Sequence, residues 1–357
     1  MKYFHYLFLI LFLFNCSSKD NEELIEPKPE LKTIYFPQIN STIWETTSIS
    51  DLKWNENQIQ PLLDFLEDKN TKSFMVLYKG KIVIEKYFNN HTSSSSWYWA
   101  SAGKTLTSTI IGIAQDQGIL NINDKVSDYL GNGWTSLTLD KENLITCKNL
   151  LSMNSGLDDS LGDDVSPSNL KYITDSEQRW AYHNVYVKLQ DVIANANGST
   201  WNTYFNKNLK DKIGMSGSWL QLNNLNVYWS NTRSMARFGL LISAKGKWNN
   251  EQIVSEEFLN EATNTSQNIN NAYGYLWWLN GKENYLLPNN QTEIKGSLIP
   301  NAPSDMFCAL GKNDQKIYII PSKDLVIVRM GESANNSNFA LSSFDNDLWT
   351  KINQVIN

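Results

Sequence analysis

A hydroxyl and an amine stand three positions apart in the run Trp99-Ala100-Ser101-Ala102-Gly103-Lys104. Residues at i and i+3 of a helix are near neighbours, so the Lys104 amine can reach the Ser101 hydroxyl and, if its pKa is depressed, take its proton. The chemistry this implies is acyl transfer, with an activated serine attacking a carbonyl carbon. Residues 105–114 carry apolar side chains at spacings of three and four, which predicts a largely buried helix beginning at Ser101. Ser101 then sits at a helix N-terminus, where unpaired N–H groups and the helix dipole favour an oxyanion.

Spacing alone is not specific, because Ser168-Asn169-Leu170-Lys171 repeats it in a polar, proline-containing stretch that reads as a loop with a simple helix start. No chemistry is assigned to that copy. Histidine is scarce: only His5, His91 and His183 occur, which disfavours a His-based zinc site. No Gly-x-Ser-x-Gly elbow presents a serine to a Ser-His-Asp triad either. Lysine or tyrosine is left as the base for Ser101. Tyr182-His183-Asn184 offers a phenol and an amide just before a helical pattern at Val185, and a tyrosine near a lysine ammonium is a candidate for partial ionisation and general-base work. The same Tyr-x-Asn pattern recurs at Tyr87 and Tyr204, in a strand end and a helix.

The elements that must position these groups follow from patterning. A helix is expected from Ile59, with Pro61 in its first turn, then strands at 73–78 and 82–87 around Lys79-Gly80-Lys81. The middle, from about 105 to 259, is dominated by helical patterns such as 185–194 and 234–244. Strands return at 305–310, 315–320 and 325–330, and a last helix is expected at 342–356. Strands at both ends enclosing a helical middle predict an α+β fold: one antiparallel sheet with an inserted helical lobe, and a site between the two.

The N-terminus places a lysine before the apolar run 6–14, too short to span a bilayer as a mature helix, and reads as an export signal over 1–15. It ends in Leu13-Phe14-Asn15-Cys16, which resembles a bacterial lipoprotein processing site with Cys16 lipidated; Asn15 departs from the usual small residue. Residues 16–52 are read as tether and linker, and 53–357 as the folded domain. That domain divides into a sheet lobe, about 53–104 and 265–357, and a helical lobe, about 105–264. Cys147 and Cys308 are read as buried free thiols. A net charge of −6 and the lack of a basic run argue against a nucleic-acid partner.

Taken in order, Trp99 to Lys104, 124–130, 150–157, Tyr182-His183-Asn184, 235–239 and 273–278 resemble the serine β-lactamase and penicillin-binding-protein superfamily. The resemblance is to its class C-like branch, with family VIII esterases, D-amino-acid peptidases and 6-aminohexanoate-dimer hydrolases, and it spans about 55–355. It implies a β-lactamase/transpeptidase-like fold without a cofactor. It also implies Ser101 as nucleophile, Lys104 as the group lowering its pKa, Tyr182 as proton relay, and Asn184 as orienting the substrate amide or the lysine. The family's third element, Lys-Thr-Gly or His-x-Gly, matches Phe307-Cys308-Ala309-Leu310-Gly311-Lys312, with Ala309 where a cationic or imidazole side chain is usual. Gly311 is then expected to let substrate approach, and the Lys312 N–H to complete an oxyanion hole with the Ser101 N–H. The missing cation disfavours penicillins and D-Ala-D-Ala peptides. Trp277 and Trp278, with Trp97, Tyr98 and Trp99, are candidates to line an acyl pocket.

The expectation is therefore an exported, lipid-anchored serine hydrolase of a small ester, amide or peptide. Its place is the cell envelope, at the outer membrane, facing the periplasm or the outside. The alternatives are a non-catalytic or slowly acylating penicillin-binding sensor lipoprotein, and a β-lactamase or D-Ala peptidase.

Overall fold

The computed structural model of the chain describes Met1 and residues 34–222, 225–335 and 341–357; residues 2–15, within the stretch read as an export signal, and Cys16 lie outside the described residues. From Ile34 onward the chain forms one compact unit. Its first elements are α1 (Ile59–Asp68), the strands β1 (Thr71–Tyr78) and β2 (Lys81–Tyr87), the short β3 (Trp97–Tyr98), a 3-10 turn at Ala100–Gly103, and α2 (Lys104–Asp116). The middle contributes α3 (Lys188–Asn197), β4 (Ser218–Leu222), β5 (Leu225–Ser230) and α4 (Thr232–Ser243). The end contributes β6 (Trp278–Leu279), β7 (Phe307–Gly311), β8 (Gln315–Ile320), β9 (Leu325–Gly331) and α5 (Ser343–Ile356).

Six of the strands make one antiparallel sheet in the order β2-β1-β9-β8-β7-β6, so both chain ends meet at the β1–β9 pair. β8 and β9 are buried along their whole length, as strands covered on both faces must be. Alternation assigns the cover. Lys316 and Tyr318 of β8 meet Asp345 and Trp349 of α5, and α1 joins α5 through stacked Phe65 and Phe344. Ile317, on the other face, lies against α4, where a Cβ on Gly239 would come within 2.5 Å of Val326. The lobe division put α4 with the inserted lobe; it belongs to the sheet.

β1 and β2 turn through Lys79 and Gly80, both at positive φ (47° and 82°), the geometry of a two-residue hairpin loop. A Cβ on Gly80 would stand 1.9 Å from the Tyr35 carbonyl oxygen. That contact belongs to the segment expected as linker. Tyr35 N–H donates to the Lys79 carbonyl, Thr46 bridges Ile82 in parallel along the outer side of β2, and the Trp44 indole donates to the Gly80 carbonyl at 2.7 Å. Buried Arg237 of α4 donates to the Pro37, Gln38 and Ile213 carbonyls. Residues 34–52 thus cover a sheet edge, and the compact unit begins at Ile34 rather than at 53.

Two strands of the inserted region form a further sheet that helical patterning did not predict, in the order β3-β5-β4, in which Trp97 and Tyr98 of β3 pair with Ser230 and Trp229. Strands this short carry little signal until a partner is present. Residues 184–187 form a 3-10 turn rather than the first turn of α3. The terminal strands and last helix lie within two residues of their expected bounds.

Candidate active site

α2 is buried from Lys104 through Ala114, and Ser101 sits in the 3-10 turn that leads into it. The turn starts at Ala100, a non-glycine residue at φ 48°. The Lys104 ammonium lies 3.0 Å from the Ser101 hydroxyl and is only 2 % exposed. Its Nζ also stands 4.7 Å from the Tyr182 ring centre and 4.5 Å from that of Tyr186. Burial pulls the Lys104 pKa down to about 7, with the Asp163 carboxylate acting in the opposite direction. At neutral pH a large share of Lys104 is therefore a free amine, able to accept the serine proton.

Tyr182 behaves otherwise than expected. Burial pushes its pKa up to about 12, outweighing the hydrogen-bonding contributions of Ser101 and the Trp278 indole, so it stays a phenol at neutral pH. An amine that loses its charge gives a phenol no ammonium to ionise against. The phenol's orientation is set by Trp278, which stacks on it at 5.7 Å and 27°, with Tyr273 edge-on and Trp180 tilted against it.

Of the aromatic residues expected to line an acyl pocket, Trp99, Trp277 and Trp278 are core instead. Trp277 is fully buried between Phe238 and Phe307, and Trp99 between Tyr228 and Phe238. Trp278 stands behind Tyr182. Trp97 packs on Tyr98 and Trp229, and of the five only Tyr98 reaches the cavity.

β6 pairs with β7 only at Phe307 and Cys308, which leaves the Ala309 to Gly311 edge beside the Ser101 turn. Gly311 is needed there, but for a reason other than substrate access. A Cβ would fall 2.4 Å from the Trp99 carbonyl oxygen and 3.0 Å from the Ala102 nitrogen, so glycine lets the strand approach the Ser101 turn. Ala309 is buried and does not reach the cavity, whereas Lys312 and Asn313 stand on its wall.

Ser101, Lys104 and Tyr182 open on a cavity of about 950 Å³. One side is the β4–β5 hairpin with Leu222, Leu225 and Val227; another is the 159–164 loop with Asp159, Asp163 and Asp164. Asn184 is on the wall too, its amide donating to Asp163, and Arg179 pairs with Asp159 at 2.7 Å. Sequence reasoning missed Tyr186, Asp163 and His183. Tyr186 was findable, four residues after Tyr182, whereas nothing local marks Asp163. His183 Nδ1 accepts the Val185 N–H, and burial lowers its pKa. Ser168, the second Ser-x-x-Lys serine, lies in a short 3-10 turn outside the cavity wall. Cys147 and Cys308 are both buried and free.

The sheet, the flanking helices and the inserted lobe define a β-lactamase/transpeptidase-like α+β fold. A family model described as Beta-lactamase matches residues 66–343, and the chain belongs to that family, within the serine β-lactamase and penicillin-binding-protein superfamily. The chain is similar to an uncharacterized protein of Alkalihalophilus pseudofirmus, 24 % identical over 304 residues, covering 74 % of this chain and 84 % of that one. Among solved structures it resembles a protein assigned as a 6-aminohexanoate-dimer hydrolase from Bacillus anthracis (TM-score 0.67, 19 % identity, 90 % of this chain and 89 % of the other). It also resembles EstCE1, a hydrolase with promiscuous acyltransferase activity (TM-score 0.63, 11 % identity, 87 % and 99 %). At these identities the structural likeness speaks for the fold, and family membership supports a hydrolase.

Proposed function

We propose that the protein is a serine hydrolase that cleaves a small ester or amide through an acyl-enzyme on Ser101. The observation that carries this reading is the buried Lys104 amine, 3.0 Å from the Ser101 hydroxyl with its pKa drawn down to about 7. Neutral Lys104 takes the hydroxyl proton as Oγ adds to the substrate carbonyl. The carbonyl oxygen becomes an oxyanion, stabilised by the Ser101 and Lys312 N–H groups. As the carbon–heteroatom bond breaks, Tyr182 gives its proton to the leaving group and recovers one from the Lys104 ammonium. Water then attacks the acyl-enzyme with Lys104 again as base, releasing the acid and restoring Ser101.

A small substrate with an apolar portion fits a cavity with Leu222, Leu225 and Val227 on one side. A β-lactamase or D-Ala peptidase activity is the second reading, favoured by Lys312 on the cavity wall, where its ammonium can meet a substrate carboxylate. The sensor alternative has no such support, since Ser101, Lys104 and Tyr182 are assembled together. We also propose that the chain is exported and held at the membrane by a lipid on Cys16.

The test is hydrolysis of a chromogenic acetate ester and of a cephalosporin by the wild type and Ser101→Ala. The expected outcome is a loss of about 10³-fold or more in kcat, with a fluorophosphonate adduct on Ser101 in the wild type only. Full ester hydrolysis by Ser101→Ala removes the reading. A stable adduct without turnover favours the sensor.

A further inference from the structure

The turn that follows Gly311 is held from behind by buried side chains that the proposed reaction does not use. Between β7 and β8 the backbone passes through two consecutive non-glycine residues at positive φ, Asn313 at 60° and Asp314 at 59°. That conformation is disfavoured for side-chain-bearing residues and persists only where the surroundings over-determine it. Here they do. Gln315, fully buried, donates its amide to the Lys312 carbonyl (3.2 Å) and the Asn313 carbonyl (2.8 Å) as well as to Gly331. Its own amide oxygen accepts the Gly331 N–H at 3.1 Å.

Arg329 completes the clamp. Its guanidinium is fully buried, and it reaches five acceptors: the Asn313 and Asp314 carbonyls (3.3 and 2.8 Å), the Lys69 and Glu332 carbonyls, and the Thr71 hydroxyl. A guanidinium has five N–H donors, so its capacity matches the acceptors around it. The Asp314 carboxylate is tied as well, to the Ala334 N–H, the Ser342 hydroxyl and the Lys316 ammonium. All three carbonyls of the Lys312–Asp314 turn therefore end on Gln315 or Arg329.

A charged group without exposure is costly to bury, and a hydrophobic residue would serve packing better. What this arrangement supplies is direction. The Lys312 N–H belongs to the peptide that joins Gly311 to Lys312; the β7–β8 pairing reaches Gly311, opposite Gln315, and the clamped Lys312 carbonyl fixes the peptide on the other side, so the backbone at Lys312, and with it the direction of its N–H, is held from both sides. We propose that Gln315 and Arg329 are positioning residues that preset the Lys312 N–H as an oxyanion donor by clamping this left-handed turn. The assignment rests on the hydrolase reading for the role of Lys312. Preorganised donors act because they need no reorientation as charge develops, so the effect falls on kcat rather than on substrate binding.

The test is Gln315→Met, close in shape but unable to donate, with Gln315→Asn as a second variant whose amide is one methylene short of the turn. Both are read by thermal midpoint, by kcat and KM on the ester that the wild type hydrolyses, and by affinity for phenylboronic acid. The tetrahedral serine adduct of the boronate places an oxygen where the oxyanion forms, so it reads the hole even without turnover. The expected result is folded protein with kcat lowered about tenfold or more, KM within about twofold, and boronate affinity lost in parallel with kcat. A folded variant with wild-type kcat and boronate affinity overturns the proposal, as does a loss confined to KM or failure of both variants to fold. An inert wild type and unchanged Ser101→Ala count against the hydrolase reading instead, and leave boronate affinity to decide the clamp.

Discussion

The chemistry of Ser101 depends on how few atoms of water reach Lys104. A lysine in solvent is charged at neutral pH and cannot accept a proton; burial alone brings this one to about 7. Because the free amine is the active form, kcat/KM is expected to rise about tenfold per pH unit below about 7 and to level off above it. Tyr182, required as a phenol and held at about 12, imposes no descending limb within the ordinary assay range. Asp163 stabilises the Lys104 ammonium, so Asp163→Asn moves the acidic limb to lower pH. A pH–rate profile of the two proteins on one ester checks both statements, and a limb that stays in place or moves upward in Asp163→Asn contradicts the assignment. The Ser101–Lys104 pair was legible because its two members are one helical turn apart, and local spacing survives into the fold. Tyr182 was legible as a residue but not in its protonation state, which depends on Trp278 and on burial contributed by distant parts of the chain.

Among elements, β7 and the Ser101 turn form a unit whose spacing is set by one absent side chain. Gly311 brings strand backbone against the Trp99 carbonyl, and a methyl group there has only backbone to displace. Gly311→Ala is expected to destabilise the fold by about 1–3 kcal/mol through overpacking and to lower kcat more than tenfold, since strand and turn must part. Denaturant midpoints and ester kinetics measure the two effects; unchanged kcat in this variant shows that the edge does not set the hole. The hairpin β1–β2, strands β8 and β9 and helix α5 were readable because their patterns are long and apolar. Short β3, β4 and β5 were not, as each becomes a strand only through its partner. The tryptophans teach the same point: Trp277 and Trp278 are adjacent in sequence, yet one is core and the other supports the phenol. Trp278 opens β6 and Trp277 precedes it, and only packing says what each faces.

At the scale of the molecule, the two chain ends share one sheet, and the segment from Ile34 seals its β2 edge. The compact unit therefore starts at Ile34, nineteen residues before position 53 and within the stretch read as linker, while Cys16 lies well before it in sequence. If Cys16 carries a lipid, the full chain expressed in a bacterial host is found in the membrane fraction and Cys16→Ser in the soluble one, with equal specific activity on a soluble ester. Equal distribution of the two proteins contradicts the anchor. Activity that changes with the substitution would mean that the anchor does more than localise.

The sequence by itself determined the Ser101–Lys104 spacing, the nearby tyrosine, the α+β order of elements and the superfamily, because these rest on spacing within single elements and on motifs in order. Tertiary structure decided what those residues are chemically. It drew the Lys104 pKa down by removing water, kept Tyr182 a phenol, sent Trp277 to the core, brought Lys312 to the cavity wall, and held the Lys312 turn with Arg329 from another strand. Each of these is a matter of burial or of contact between residues far apart in the chain, and pKa, direction and access are properties of surroundings rather than of residue type.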